Sequence, residues 1–546
     1  MIETFKSICS RKIASICTFA IALVGKWCIL IYNFKIGNDK SLQLLAAKNI
    51  VNGNGLTINT VHASDISREI YVPLYAFPGG YSYLIAPFYA LVRNLDLTSL
   101  GLDLVTAFFF LFFLRKLLIR IRFPIWLVNF SILFWGLNIP VYITRNGPTD
   151  FLSLTFCIVA IYLTITSIQK NDRAWKFGIY IGITLFILEQ LRYLNIPASL
   201  IIPVFLFWNG IKLKNRNTLK IGLISLTIVF AGMILFHDGF VWVFKMLASH
   251  QNLSGNFSHN IISTRSWYPE NLLHCYPFMA DAFVNVDLIL TQISMHTSMN
   301  YGTGANLITL LCLPLQITGA IAICYFILRT QFISREAQKI FILLGGGISI
   351  STLVILLYLS LKKDGHIPPP IDSYWTYIAD GRYFAFISLY TYCTIILCAN
   401  FLFKGNFLKL CKMIFLGLLC LGIIHGIWYV SKISFVNKLK QSSSLKDARL
   451  FIQSLIKNSN KHVVVTSAAS AYSAYSIFEG GSGLFEFEEI NNQEIKTSSP
   501  AILLAIIDKK ELVYFENFIK QENTRLAKVI DDNYFYINEP ETNNQK

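Results

Sequence analysis

The sequence predicts an α-helical polytopic membrane protein with about eleven transmembrane helices and a small C-terminal extracytoplasmic α/β domain. Hydrophobic residues make up 54% of the 546-residue chain and charged residues only 14%, whereas roughly a quarter of the residues in soluble domains are charged. Long apolar runs alternate with short basic clusters, and this pattern stops near residue 431. The composition excludes a soluble globular enzyme and a disordered scaffold, because the polar residues are too few to cover the apolar ones.

The apolar runs predict the individual spans. A helix that crosses the hydrocarbon core needs about 20 mostly apolar residues. Runs of this kind lie near residues 13–34, 101–119, 124–143, 149–168, 175–190, 193–209, 219–237, 305–328, 340–361, 383–403 and 412–430. The fifth and sixth runs are short and also fit one re-entrant feature. The first run is too long for a signal-peptide core and lacks a cleavage site, so we expect it to remain as an anchor.

The distribution of Lys and Arg predicts which loops face the cytoplasm, where basic residues accumulate. One set of alternate loops carries Lys6, Arg11, Lys12; Arg115, Lys116, Arg120, Arg122; Lys170, Arg173, Lys176; Lys212, Lys214, Arg216, Lys220; Arg329, Arg335, Lys339; and Lys404, Lys409, Lys412. The other set is longer: 35–100, 238–304, 362–382 and the segment from 431. We therefore expect a multi-pass protein of the inner or plasma membrane, with a cytoplasmic amino terminus and an external C-terminal domain.

The formal net charge of +16 follows from this topology. The basic residues lie in short loops, where they set orientation and attract anionic membrane lipid. No basic patch interleaved with aromatic residues stands out, so nucleic acid is not an expected partner. The cysteines form no CxxC pair, and the His and Asp residues lack the spacing of a zinc motif.

The change in composition predicts a transmembrane domain at 1–430 and a separate α/β domain at 431–546. In the second domain, apolar runs at 462–466 and 501–507 predict buried strands, and 445–457 and 511–520 have helical spacing. Alternating strands and helices are typical of an α/β fold. The segment Glu479-Gly-Gly-Ser-Gly483 lacks the Lys-Ser/Thr ending of a phosphate loop, so we expect a turn there.

The first outer loop, 35–100, holds the clearest polar motif. Asp39 follows the first span directly and begins an amphipathic segment that Gly53 and Gly55 close, which predicts a helix lying in the membrane surface. From its position Asp39 is either a helix N-cap or a functional acid. Three prolines and two glycines interrupt the segment 73–91, which predicts a dip into the membrane interface.

The order of these motifs resembles that of the GT-C glycosyltransferases, in particular the bacterial members similar to protein mannosyltransferases and to the lipid A aminoarabinose transferase. The resemblance rests first on an Asp after the first span, then Asn-Gly-x-Gly, then Phe77-Pro-Gly-Gly-Tyr-Ser-Tyr-Leu-Ile-Ala-Pro87. Gly178-Ile-Tyr-Ile-Gly182 followed by Glu189-Gln-Leu-Arg-Tyr-Leu-Asn-Ile-Pro197 resembles the Gly-rich helix of that family, which ends in an Arg near a Pro. Ala379-Asp-Gly-Arg-Tyr383 resembles its Arg-Tyr motif. The resemblance covers about residues 13–430.

The resemblance implies a GT-C-like fold and an inverting transfer of one sugar, a hexose or a pentose. The donor would be a polyprenyl-phosphate sugar, and the acceptor a glycolipid, a polysaccharide or a protein on the outer face. The family is metal-independent or weakly metal-dependent, so no cofactor is expected and a divalent cation remains open. A phosphate at the membrane interface calls for cations near the outer ends of helices.

The resemblance assigns the role of general base to an Asp of the first outer loop, and Asp39 is the candidate. The expected substrate-binding residues are Arg192, Arg382, Tyr383, Asp150, Lys362 and His366. Structural roles compete with these assignments. Arg192 could pair with Glu189 on the same helix, Asp150 could be a helix N-cap, and His366 could be a surface residue. Lys26, inside the first span, is expected to snorkel or to pair with a carboxylate.

Two departures from the family pattern limit the transfer of its properties. Asp39-Lys40 stands where protein mannosyltransferases carry adjacent acids, which puts a mechanism with two carboxylates in doubt. The Trp-Trp-Asp motif of oligosaccharyltransferases is absent from the sequence, which argues against an oligosaccharide donor.

Three other functions remain open. A polymerase or ligase of surface polysaccharide would use a large outer loop with Arg and His, and loop 238–304 contains His250, His259, Arg265, His274 and His296. A lipid or sugar carrier (flippase) is a second alternative, although the sequence shows no symmetric pair of broken helices. The third is an inactive relative whose C-terminal domain binds a partner.

Overall fold

The computed structural model describes residues 12–138, 148–235 and 444–541 apart from short gaps, together with most of 333–361 and 385–402 and scattered positions between 317 and 431. The helices are α1 Lys12–Tyr32, α2 Asn38–Val51, α3 Gly80–Val92, α4 Leu95–Arg120, α5 Ile125–Asn138, α6 Pro148–Lys170, α7 Ala174–Leu191, α8 Ile196–Lys212, α9 Arg216–Leu235, α10 Glu336–Leu361, α11 Ala385–Leu402, α12 Ser444–Asn458, α13 Ser470–Glu479 and α14 Glu516–Ile519. The strands are β1 Thr57–His62, β2 Asp65–Pro73, β3 His462–Ser467, β4 Ser482–Leu484, β5 Ala501–Asp508, β6 Thr524–Ile530 and β7 Asn533–Asn538.

Within the described residues, six helices are long and apolar enough to cross a membrane. These candidate spans are Lys12–Tyr32, Leu95–Arg120, Thr149–Lys170, Ala174–Leu191, Arg216–Ile234 and Glu336–Ile355. Shorter apolar helices occupy the predicted spans 124–143, 193–209 and 383–403. The predicted spans 305–328 and 412–430 lie mostly outside the described residues. The chain is thus a multi-pass membrane protein, with each of the six long helices at a predicted span.

Segments that were predicted to share one side of the membrane contact each other. At one end of the helices, Arg115 donates to the hydroxyl of Ser15 over 2.7 Å. At the same basic end of α4, the amide of Gln338 donates to the carbonyl of Ile121 over 2.9 Å. At the opposite end, the first outer loop packs against the C-terminal sheet. Among the described residues, these basic loop segments therefore lie at one end of the helical bundle and the first outer loop lies at the other.

The helix α2, which the sequence predicted to lie in the membrane surface, is enclosed by other parts of the protein. Ten of its 14 residues are buried within the protein. One face packs toward the transmembrane helices, where Ser82 of α3 donates to the carbonyl of Gln43 over 2.8 Å. The C-terminal residues cover the other face, in a cluster that comprises Leu42, Leu45, Ala46, Ile58, Leu74, Ala474 and Ile477. The amphipathic pattern correctly predicted a helix, but the second face of this helix packs against protein instead of lipid headgroups.

Residues 444–541, here called the C-terminal unit, contain a five-stranded sheet of order β4-β3-β5-β7-β6. Strand β3 pairs in parallel with β4 and β5, and β7 pairs antiparallel with β5 and β6. Strands β3 and β5 coincide with the two predicted strands, and α12 with the predicted helix 445–457. The predicted helix 511–520 is a 3₁₀ turn, Leu512–Phe515, followed by α14. The edge strand β6 is mostly exposed, so it lacks the apolar pattern that would have revealed it.

The Gly-rich helix α7 packs closely on α9. A Cβ atom at Gly182 would lie 2.8 Å from Ile228 of α9, nearer than side-chain atoms approach one another. Small residues at such a crossing let two membrane helices approach, because packing contacts drive helix association in lipid. This explains the Gly-rich part of the motif as a structural feature that fixes α7 and its C-terminal end.

Candidate functional site

Asp39 lies in the first turn of α2, at the end of the helical bundle that packs against the C-terminal sheet. The N-cap residue of this helix is Gly37, and no side chain caps the helix. Asp39 is therefore not the N-cap that one interpretation of the sequence allowed. A carboxylate in the first turn is favoured by the helix dipole, and Asp39 is only 8% exposed. Gln43, one turn later, donates its side-chain amide to the carbonyl of Asp39 over 3.4 Å.

The neighbour of Asp39 forms a buried ion pair. Lys40 Nζ lies 2.7 Å from Oδ2 of Asp103 on α4, and the Lys40 side chain is fully buried. The same ammonium lies 5.0 Å from the ring centroid of Phe34. A buried charge is costly unless it is paired, so this contact strongly constrains where α2 begins relative to α4. Sequence reasoning noted Lys40 only as a departure from the family pattern and did not assign Asp103 a role.

Arg192 and Asp150, two residues of the predicted substrate site, are brought together by the fold. Asp150 lies in the first turn of α6, and Arg192 follows the last residue of α7 in extended conformation. A guanidinium nitrogen of Arg192 pairs with a carboxylate oxygen of Asp150. Arg192 keeps 18% of its side chain exposed, whereas Asp150 keeps only 3%. Asp150 thus orients a guanidinium group that stays partly exposed.

The carboxylate of Glu189, which could have paired with Arg192, contacts the side chain of Gln190. Its Oε1 accepts a hydrogen bond from the side chain of Gln190 over 3.3 Å. Its Oε2 is buried and has no hydrogen-bond partner among the described residues, and the same holds for Oε1 of Gln43. Buried acceptors without partners are uncommon in proteins, and these two lie on the helices that carry Arg192 and Asp39.

The Phe-Pro-Gly-Gly motif begins α3, which contacts both the helix that carries Asp39 and the helix end that carries Arg192. A Cβ atom at Gly80 would lie 2.2 Å from the carbonyl oxygen of Gln190, so the start of α3 packs backbone to backbone against the end of α7. Two residues later, Ser82 holds the carbonyl of Gln43. The helix α3 therefore joins the helix that carries Asp39 to the helix end that carries Arg192. Helices whose residues the sequence separates by some 150 positions thus both contact the start of α3.

Lys26 places a further buried amino group at this end of the bundle. It is 1% exposed, so it does not snorkel to the surface, and its Nζ lies 5.7 Å from the ring centroid of Phe151. The next residue, Trp27, donates to the carbonyl of Leu104 over 3.0 Å. Because Phe151 adjoins Asp150 and Leu104 adjoins Asp103, Lys26 lies at the level of both ion pairs.

Four of the predicted site residues fall outside the described part of the chain: Arg382, Tyr383, Lys362 and His366. Their roles remain predictions. Among the residues that the structure describes, no group of three or more His, Cys, Asp or Glu side chains could hold a metal ion.

The described part of the site therefore comprises Asp39, the pairs Lys40–Asp103 and Asp150–Arg192, and the buried Lys26 and Glu189. Sequence reasoning missed Asp103. An acidic residue inside the apolar run 101–119 was a usable signal, because ionisable residues within membrane segments are rare and usually paired. The arrangement can bind an anion through Arg192 and can accept a proton at Asp39.

Comparison with solved structures finds similar proteins. AglB, an archaeal oligosaccharyltransferase from Archaeoglobus fulgidus solved with an inhibitory peptide and a dolichol-phosphate, matches with a TM-score of 0.48 and 10% identity over 96% of this chain and 74% of that chain. ArnT from Cupriavidus metallidurans, solved with undecaprenyl phosphate, matches with a TM-score of 0.42 and 11% identity over 97% of this chain and 99% of that chain. Both are membrane glycosyltransferases of the GT-C superfamily. No protein-family model matches the sequence, and no curated protein sequence matches it.

Proposed function

We propose that this chain is a membrane glycosyltransferase that moves one sugar from a polyprenyl-phosphate-linked donor to an acceptor on the outer face of the membrane. The observation that supports the proposal is that α3 contacts both the helix that carries Asp39 and the helix end that carries Arg192, the partner of Asp150. A carboxylate and a guanidinium at the outer end of a helical bundle are the two groups that such a transfer needs. Nucleotide sugars are cytoplasmic, so a transferase with its site on this side requires a donor carried by a lipid.

In the proposed reaction Asp39 is the general base. Its carboxylate takes the proton of the acceptor hydroxyl while the acceptor oxygen bonds to the anomeric carbon of the donor sugar. The bond between that carbon and the phosphate oxygen breaks, and its electron pair leaves with the polyprenyl phosphate. Attack from the face opposite to the leaving group inverts the configuration. The donor is a hexosyl or pentosyl lipid, and the acceptor is a glycolipid, a polysaccharide or a protein.

The leaving phosphate gains negative charge, which cations near the membrane interface stabilise. Arg192 is the described candidate, because its partner Asp150 holds it in place while part of the guanidinium stays exposed. Arg382, Tyr383, Lys362 and His366 complete the proposed phosphate and sugar contacts. The proposed transfer uses no resident cofactor, and a divalent cation remains open.

The proposed arrangement in the membrane follows the loop charges. Residues 1–430 form the catalytic transmembrane domain, and residues 431–546 form an extracytoplasmic α/β domain. The amino terminus and the basic loops face the cytoplasm of the cell, and the protein lies in the inner or plasma membrane. The contacts between the first outer loop and the C-terminal unit support their placement on one side.

The test compares Asp39→Asn with Asp65→Asn in full-length protein supplied with undecaprenyl-phosphate glucose, mannose and arabinose. Asp65 lies in the same outer loop, but its carboxylate binds Ser67 and Ser498 on the surface, so it is a matched control. We expect Asp39→Asn to insert normally and to lose about a hundredfold or more of the turnover, as for a missing general base. Asp65→Asn should keep its turnover. Near-normal turnover of Asp39→Asn would remove Asp39 from the mechanism.

Product analysis separates the remaining alternatives. A new glycosidic bond to a single sugar supports the transferase, products with many added units support a polysaccharide polymerase, and movement of lipid without bond formation supports a carrier. Arg382→Ala should weaken the use of the lipid-phosphate donor. If donor dependence stays unchanged in that variant, Arg382 has a structural role.

A further inference from the structure

The start of α2 has no side-chain cap of its own, although it carries the proposed base. The N-cap residue is Gly37, which has no side chain that could accept a capping hydrogen bond. Unsatisfied amide groups at a helix start allow the first turn to fray. Other contacts must therefore hold Asp39 in place.

Two such contacts flank Asp39, one on each side. Asn38 accepts a hydrogen bond at its Oδ1 from the backbone amide of Ala471, at the start of α13, over 3.3 Å. Lys40 forms the buried ion pair with Asp103 of α4. The residues before and after Asp39 are thus attached to two different parts of the protein, Asn38 to the C-terminal unit and Lys40 to the transmembrane helix α4. Asp39 lies between these two attachments.

The attachment to the C-terminal unit extends along the whole of α2. Lys48, near the other end of α2, donates its ammonium to the carbonyl of Ile477 over 3.0 Å. Burial lowers the pKa of Lys48, and the nearby Glu69 carboxylate offsets part of that effect. Between the two hydrogen bonds, Leu42 and Ala474 belong to one buried cluster. The helix α13 therefore runs alongside α2 and contacts it at both ends.

The C-terminal unit is in turn fixed to α4. Arg449 of α12 pairs with Asp96 in the first turn of α4 and with Glu479 at the end of α13, the latter over 2.8 Å. Partial burial alone would lower the pKa of Arg449, but the hydrogen bonds and charges of these two carboxylates raise it. The polar contacts form a closed circuit from α4 through α12 and α13 to α2 and back to α4 at Asp103.

From this circuit we infer that Asn38 is a positioning residue, through which the C-terminal unit holds the carboxylate of Asp39 in its reactive place. The inference rests on the proposed function, because it assigns Asp39 the role of base. It gives the C-terminal unit a part in catalysis that is separate from any contact with substrate. Displacement of a catalytic group by about 1 Å can cost on the order of a hundredfold in rate, so a lost tether should act on kcat.

The experiment compares Asn38→Ala with Thr60→Val in the full-length protein. Thr60 also ties the first outer loop to the C-terminal unit, because its hydroxyl donates to the carbonyl of Gly483 over 3.0 Å, but it lies away from Asp39 in β1. We expect Asn38→Ala to lower kcat about tenfold with little change in KM, since a tether outside the substrate contacts is lost. Thr60→Val should keep both constants. Asn38→Asp retains the acceptor oxygen and should restore most of kcat.

A second measurement needs no sugar donor. Hydrogen exchange of the backbone amides of residues 38–41 should become about fivefold faster in Asn38→Ala, as expected for one lost hydrogen bond, and should stay unchanged in Thr60→Val. If Asn38→Ala and Thr60→Val changed the exchange rates and kcat equally, the contact between Asn38 and Ala471 would only help to dock the C-terminal unit. That result would overturn the inference. Normal turnover of Asn38→Ala beside an inactive Asp39→Asn would overturn the inference alone, whereas normal turnover of Asp39→Asn would overturn the proposed function.

Discussion

The Nζ atom of Lys40 lies 2.7 Å from Oδ2 of Asp103, a residue 63 positions further along the chain. Both side chains are buried, so each charge depends on the other. The pair joins the outer-loop helix α2 to the transmembrane helix α4, directly beside the proposed base.

Replacement of one partner of this pair should destabilise the protein strongly. Lys40→Met leaves the Asp103 carboxylate buried without its ammonium, which typically costs about 3–5 kcal/mol. Lys48→Met removes a lysine of the same helix that donates to a carbonyl and, among the described residues, forms no buried ion pair, and it should cost about 1 kcal/mol. The measurement is the melting temperature of each purified variant in one detergent.

The double variant Lys40→Met with Asp103→Leu supplies the control for this interpretation. Removal of both charges should recover most of the melting temperature, because no buried charge is left unpaired. A double variant as unstable as Lys40→Met would show that the lysine contributes through packing and not through its charge.

Gly80 should not tolerate a side chain. In Gly80→Ala the new methyl group would lie 2.2 Å from the carbonyl oxygen of Gln190, so α3 must move away from α7. We expect a lower melting temperature and reduced turnover, since the shift separates the helices that carry Asp39 and Arg192. The matched control is Gly101→Ala in α4, where a Cβ atom meets nothing within 4 Å. Alanine there should be neutral or should stabilise the helix by up to about 1 kcal/mol.

A double variant can distinguish the structural role of Arg192 from phosphate binding. Arg192→Gln alone leaves the buried Asp150 without its guanidinium and should lower both stability and turnover. Asp150→Asn with Arg192→Gln removes both charges and should restore the melting temperature. If Arg192 also binds the donor phosphate, the double variant folds but retains a KM for the lipid donor that is raised about tenfold or more. Full recovery of that KM would restrict Arg192 to a structural role.

The stability of the protein toward unfolding should decrease in mild acid. Burial lowers the pKa of His462, at the start of β3, and the Glu69 carboxylate offsets part of that shift. Since the folded pKa lies below the ordinary value of about 6.5, the unfolded chain binds more protons in this range. The stabilisation is therefore complete above pH about 6.5 and is lost as the pH falls toward the folded pKa.

The measurement is the melting temperature of full-length protein between pH about 8 and 5, compared with that of His462→Gln. The variant should show a smaller decrease in mild acid. Equal slopes for the two proteins would assign the pH dependence to other groups.

Composition and periodicity alone determined the membrane class, each of the six long described spans, the two strands β3 and β5, and the segregation of the loops to two ends. Each of these depends on local counts: about 20 apolar residues per span, basic residues per loop, and short apolar runs for buried strands. The order of the motifs also identified Asp39, Asp150 and Arg192 as candidates before their contacts were known.

Only the tertiary structure decided which of these groups meet. In a bilayer, lipid-facing and core-facing positions are both apolar, so the sequence of α4 or α7 does not indicate which face packs against which helix. The Lys40–Asp103 and Asp150–Arg192 pairs each join residues on different helices. The sequence of α2 likewise does not indicate what covers its second face, because the amphipathic pattern is compatible with either lipid or protein there. The C-terminal unit covers that face, because residues more than 400 positions away along the chain fold back onto it.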